Sequence, residues 1–246
     1  MIEVKNIKKV FAKESGISAI LFDGLNLQII EYSITGIIAP QSSGKTTLLK
    51  IISGLENQTS GEISNGKNIS FIPSEPSSFP WLNVRENILF GLPNIQESEF
   101  NDVIRLVGLE GYESHFPNNN SYGFRFRISL ARSIIRKPKL ICLDEPFYKL
   151  DEQTKHEIYD LILQANRTKG ITFLLATTNI TEVLYLSNKI YLTGKDHGKI
   201  VDSFDVNFPK ERNIGFIKEE EFVSMRTKIE NVIKKNSLYS LMNFSI

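Results

Sequence analysis

Residues 39–47, Ala39-Pro40-Gln41-Ser42-Ser43-Gly44-Lys45-Thr46-Thr47, stand between the apolar run Ile34–Ile38 and the helical pattern Leu48-Leu49-Lys50-Ile51-Ile52. Strand, tight turn and helix in that order restrict the fold more than any other stretch of the chain. Backbone N–H groups of such a turn and of the helix start converge on one spot, where they cradle phosphate. Gln41, Ser42, Ser43, Gly44 and Thr47 then line the cradle, Lys45 reaches a terminal phosphate, and the Thr46 hydroxyl can ligate Mg²⁺. Ala39 occupies the first position, where the strict G-x-x-x-x-G-K-[ST] pattern has glycine. A serine-glycine loop that only caps a helix would look similar locally, but the buried strand before it favours nucleoside triphosphate binding.

A second acidic site follows about a hundred residues later. Leu140-Ile141-Cys142-Leu143-Asp144-Glu145-Pro146 is a buried strand that delivers two acids at its carboxyl end, the edge where α/β folds place ligands. Asp144 is suited to holding Mg²⁺ through water, and Glu145 to taking a proton from an attacking water.

The rest of the chain is consistent with one α/β unit. β-Branched segments at 2–7, 17–22 and 25–30, the last two around the turn signal Asp23-Gly24, read as an antiparallel sheet edge. Residues 73–83 hold Pro73, Pro76 and Pro80 and predict an extended loop ending near Trp81. Helical patterns at 84–90 and 97–107 and a third ending before Pro138, after the polar Asn118-Asn119-Asn120, predict an inserted helical lobe. Arg125, Arg127, Arg132, Arg136 and Lys137 on the third helix read as a solvated face. Apolar runs at 140–143 and 171–176, separated by a helix at 152–167, predict buried parallel strands. A hairpin around Asp196-His197-Gly198 and an amphipathic helix near 219–235 close the pattern.

With 29 Lys+Arg against 28 Asp+Glu, overall charge gives no indication of nucleic acid as a partner. The single cysteine, Cys142, sits in an apolar run and reads as a buried thiol in a reducing compartment. No stretch approaches ~18 unbroken apolar residues, so the expectation is a chain that does not itself cross a bilayer.

The two motifs and their spacing resemble the ATP-binding subunit of ABC transporters. Phe79-Pro80-Trp81-Leu82-Asn83-Val84-Arg85-Glu86-Asn87-Ile88 and the ending Asp205-Val206-Asn207-Phe208-Pro209-Lys210 are similar to importers of the nitrate, sulfonate and taurine type. The resemblance implies a P-loop fold with a RecA-like, mostly parallel core sheet, an antiparallel β subdomain and an inserted α-helical subdomain. On that basis residues 1–246 form a single nucleotide-binding domain: 1–72 and 139–205 core, 73–138 helical subdomain, 206–246 tail. It also implies ATP and Mg²⁺ as cofactors, an integral-membrane permease and a second ATP-binding subunit as partners, and a peripheral place on the cytoplasmic face of the membrane. Phe11 would stack on adenine, although an ordinary core aromatic fits the sequence too. Ser121 and Gly123, in Asn120-Ser121-Tyr122-Gly123-Phe124, would face the nucleotide held by the second subunit, and Leu150-Asp151 would cross the interface.

Three positions depart from the family pattern. Tyr122 stands for a glycine of the signature loop, Ser74 for a glutamine, and Thr178 for a histidine that contacts the γ-phosphate. Loss of one positioned donor or acid–base group costs roughly 10²–10³-fold in rate. From a turnover of ~10 s⁻¹, that predicts about 0.1 s⁻¹ or less. The sequence therefore predicts an importer subunit with slow or conditional hydrolysis; the alternative is an ATP-binding regulatory module that does not energise transport. A P-loop kinase or GTPase leaves the segments at 79–88 and 120–136 unexplained.

Overall fold

A computed structural model describes residues 1–12, 18–64, 66–117, 121–194 and 198–236. Continuous burial marks three central strands: β3 (Ile34–Ile38), β6 (Leu140–Asp144) and β7 (Phe173–Thr177) are buried at every residue. Strands buried on both faces belong to a parallel sheet covered on both sides. They form its centre, in the order β5-β6-β7-β3-β8-β9, with β5 (Ile69–Ile72), β8 (Lys189–Thr193) and β9 (Ile200–Asp205). All neighbours are parallel except β9, which pairs antiparallel with β8.

Alternate residues of β6 and β7 feed two cores. Leu140, Cys142, Leu174 and Ala176 join α1 (Lys45–Ile52) and the antiparallel sheet formed by β2 (Ser18–Ile29), β1 (Ile2–Ala12) and β4 (Ser60–Ser64). Ile141, Leu143, Phe173 and Leu175 join the opposite core, built from α2 (Val84–Leu89), α3 (Glu97–Leu106), α4 (Tyr122–Ile134), α5 (Glu152–Lys169), α6 (Ile180–Leu186) and α7 (Glu220–Lys235). Gly36 of β3 lies directly against α6, where an added Cβ would collide with the Val183 and Ser187 side chains. The expected mostly parallel core, antiparallel β part and helical lobe are all present.

Local chemistry sets the lobe's boundaries. Asn83 accepts from Glu86 N at 2.8 Å and Glu86 accepts from Asn83 N at 2.8 Å, a capping box that starts α2. Asn87, fully buried, ties the proline-rich loop to that helix: it accepts from Phe79 N at 2.8 Å and donates to the carbonyls of Phe79, Leu82 and Asn83. Trp81 is 70% exposed on this loop, so it is not a core residue.

Two expectations are corrected. Asp23-Gly24 is not a turn: β2 runs through it. The register against β1 slips there, with Gly24 at φ 78° and Asn6 at φ 50°, and Asn26 bonds both backbones. An Asp-Gly pair supplies the left-handed backbone of a bulge as readily as that of a turn. The basic residues of α4 are not simply a solvated face either. Arg127 donates to the Val107 carbonyl and to Glu157, both at 2.8 Å, Arg132 to the Ser77 carbonyl, and Arg136, just past the helix, to the Phe90 carbonyl. They anchor loops, and Lys137, 76% exposed, makes a surface pair with Glu99. The expected features at Asn118-Asn119-Asn120 and Asp196-His197 lie outside the described residues.

Candidate active site

The phosphate loop leaves β3 at Ala39 and closes with Ser43 N donating to the Pro40 carbonyl at 3.2 Å. Ser42 (φ 62°) and Gly44 (φ 95°) take left-handed backbone, and a Cβ at Gly44 would meet the Leu21 side chain at 2.9 Å, so glycine is required at 44. Lys45 then begins α1, whose first N–H groups have no intrahelical acceptor and point out of the helix. Lys45 Nζ donates to the carbonyls of Pro40 (3.0 Å) and Ala39 (3.3 Å).

The acid pair is brought onto this loop. Thr46 Oγ1 donates to Asp144 Oδ2 at 2.7 Å. Asp144 is 2% exposed and its Oδ1 has no hydrogen-bond partner. Burial raises its carboxyl above the ordinary range, opposed by the Thr46 bond and Lys45. A buried, unpartnered carboxylate oxygen beside a threonine hydroxyl suits a hard divalent cation. Glu145 lies at the end of β6 with its N–H on the Ala176 carbonyl at 2.8 Å and with φ 43°. Its carboxylate pairs with Lys45 at 3.2 Å and accepts from Thr178 N at 3.3 Å.

Lys45, Thr46 and Glu145 face one pocket of about 690 Å³; Asp144 is not part of its lining and meets it through its bond to Thr46. Gln41, Ser42, Gly44, Lys45, Thr46 and Thr47 come from the loop and α1. Ser74, Glu145 and Thr178 come from beyond the carboxyl ends of β5, β6 and β7, and Phe11 and Leu21 from the antiparallel sheet. Phe11 is 41% exposed with Lys9 Nζ 4.7 Å from its ring centroid, which excludes the core-aromatic reading. Another concavity, at residues 211–224, carries Glu211, Glu219, Glu220 and Glu221, and that charge repels phosphates.

The family model described as ABC transporter matches residues 22–148, from β2 through the loop after β6. The aliphatic sulfonates import ATP-binding protein SsuB of Bacillus cereus is 33% identical over 93% of this chain and 94% of its own length. The chain belongs to the ABC transporter family. Another relative of this ABC protein is the uncharacterized ABC transporter ATP-binding protein MJ0412 of Methanocaldococcus jannaschii, 30% identical over 98% of this chain and 94% of that one. Among solved structures, the dimeric structure of MJ0796, a bacterial ABC transporter cassette, superimposes with a TM-score of 0.73 at 24% identity, covering 85% of this chain and all of that one. This likeness concerns the fold.

Other expected residues of the ABC protein lie elsewhere. Ser43 is buried behind the loop and its hydroxyl has no partner. Ser121 and Gly123 do not line the pocket; they start α4, where Ser121 Oγ accepts from Phe124 N at 3.2 Å and Gly123 packs so closely on Thr154 that a Cβ would clash. Asp151 caps α5 by accepting from Thr154 N at 2.9 Å. The sequence reading did not single out Leu21 and Tyr148, which both line the pocket. A tyrosine followed by lysine between the buried Phe147 and Leu150 was the available signal for Tyr148. Among the described residues no helix is long and apolar enough to cross a membrane.

Proposed function

We propose that this chain, as one nucleotide-binding domain, is the ATP-binding subunit of an importer. It would bind Mg-ATP against a second ATP-binding subunit and drive an integral-membrane permease from the cytoplasmic face, with slow or conditional turnover. The observation that carries this reading is the Thr46–Asp144 hydrogen bond, which ties the phosphate-loop helix to the acid-bearing strand beside the pocket that Lys45, Thr46 and Glu145 line. In this reading Lys45 and the loop N–H groups bind the phosphates, Phe11 stacks on the adenine, and Thr46 and Asp144 hold Mg²⁺. The cation would neutralise charge on the transferring phosphoryl group. Glu145, aimed by the Thr178 N–H, accepts the proton of the attacking water. Ser121 and Gly123, outside this pocket, are left to face the nucleotide of the second subunit. Relatives named for aliphatic sulfonate import make an organosulfonate the first cargo to test.

Slow turnover is supported by the short or bulky side chains at Ser74, Tyr122 and Thr178, and the same residues favour the second reading, a regulatory ATP-binding module. Affinity purification from the native cells in mild detergent separates the two. A co-purifying multispanning permease and a measurable ATPase rate are expected. Soluble partners alone, with ATP bound and no turnover, would sink the importer reading in favour of the module.

A further inference from the structure

Two of the three departures from the family pattern touch each other. The Tyr122 hydroxyl, in the first turn of α4, donates to the Ser74 carbonyl at 3.0 Å. Lys149, from the loop after β6, lies 5.3 Å from the centroid of the Tyr122 ring and pairs with Glu75. Arg125, one turn along α4, lies over the same ring at 4.9 Å. Three segments remote in sequence therefore meet on one phenol. Burial raises the Tyr122 phenol, with Glu75 adding to the rise, so the hydroxyl remains a donor throughout the neutral range.

The partner of this bond matters. Ser74 lines the phosphate pocket with Lys45, Glu145 and Thr178, while Tyr122 itself does not. A serine hydroxyl sits one bond beyond Cβ, so its place in a site is dictated by the backbone that carries it. A long side chain would reach across a loosely held loop; a serine cannot. The Tyr122 bond is made to the backbone at 74 itself, while the exposed Lys149–Glu75 pair next to it adds little.

We propose that Tyr122 is a positioning residue for the ATP site of its own chain, holding the Ser74 backbone so that the Ser74 hydroxyl reaches the phosphates. The two departures then act as a pair, with the tyrosine fixing a loop whose side chain has become too short to find its own place. This proposal rests on the ATP-hydrolysing reading above.

The test is a double-mutant cycle of Tyr122→Phe and Ser74→Ala in the full chain purified with its associated subunits. It reads kcat and KM for ATP, the Kd for Mg-ATP by calorimetry, and the melting temperature. Tyr122→Phe keeps the ring beneath both cations and removes the hydroxyl, with its bond to the Ser74 carbonyl and its interaction with Lys149. Each single variant is expected to lower kcat about 5- to 10-fold with KM changed by less than about 2-fold. The double variant should be no slower than the slower single. Multiplying effects, wild-type kcat in Tyr122→Phe, or a lowered melting temperature with kcat intact would each overturn the proposal. A wild-type protein that binds Mg-ATP without turning over removes the hydrolysis reading alone. The same cycle in Kd then decides, with coupled effects supporting the tether and independent ones overturning it. Absence of Mg-ATP binding overturns both.

Discussion

Lys45 Nζ and Glu145 Oε1 stand 3.2 Å apart, and the same ammonium is held by the Pro40 and Ala39 carbonyls. Each of the two is required by the proposed chemistry, and each restrains the other. Phosphate and Glu145 compete for one lysine. Glu145→Gln removes both the proton acceptor and the competing charge. Turnover should fall roughly 10²–10³-fold, while ATP affinity stays unchanged or tightens. Single-turnover hydrolysis and calorimetry on one preparation check this, and wild-type rates in the variant would remove Glu145 from the mechanism.

Burial works against the charged form of Asp144 more than the Thr46 hydrogen bond and Lys45 support it. Its buried, unpartnered Oδ1 and raised carboxyl mean that the charge opposes folding on its own. Asp144→Asn keeps an acceptor for Thr46 and removes the charge. The variant should melt at or above the wild-type temperature without ligand, yet lose most of the extra stability that Mg-ATP confers. Thermal melts with and without Mg-ATP read both effects; a variant stabilised by Mg-ATP as strongly as wild type would exclude Asp144 as the cation's anchor.

Glu182 predicts a pH dependence. It is 7% exposed, accepts from Thr177 Oγ1 at 2.7 Å, and is pushed up to about 7, first by burial. The Thr177 bond and then Lys155 oppose this, and Glu145 and Glu152 add to it. The folded protein holds the proton where the unfolded chain has already lost it. This group's contribution therefore falls as pH rises from the ordinary carboxylate range to about 7, and is flat above. The full shift corresponds to about 3 kcal/mol. Glu182→Gln should melt higher than wild type at pH 8, with the gap closing toward pH 5; a gap independent of pH would contradict the assignment.

Asn87 tests the loop that carries Trp81. Four hydrogen bonds from one buried side chain hold residues 79–83. Asn87→Ala leaves those backbone groups unpaired, at a cost of about 2–4 kcal/mol. Denaturation curves should show that loss, and limited proteolysis should cut first between 77 and 83. Unchanged stability would mean that the loop holds itself.

What was legible in the sequence was what local chemistry dictates. The buried strands at 34–38, 140–144 and 173–177 announced themselves through the largely apolar runs at 34–38, 140–143 and 171–176, and the phosphate loop by its glycine and lysine. Asp23-Gly24 misled because a bulge and a turn ask for the same left-handed backbone. The arginines of α4 misled because their partners are carbonyls 20 to 55 residues away, which no charge pattern records. The Tyr122–Ser74 bond, 48 residues apart, is of the same kind. Phe11 remained open in the sequence because a strand residue's face depends on register, and here the register slips three times before reaching it.

Gly36 has one further implication. Because no carbon can be added there without striking the Val183 or Ser187 side chain, the side chains of α6 rest directly on the β3 backbone. One of these elements runs directly into the phosphate loop, and the other follows the Thr178 amide that grips Glu145. A displacement of the loop at one end is therefore expected to be felt in the hold on the carboxylate at the other, because the missing methyl group leaves little slack between the two elements.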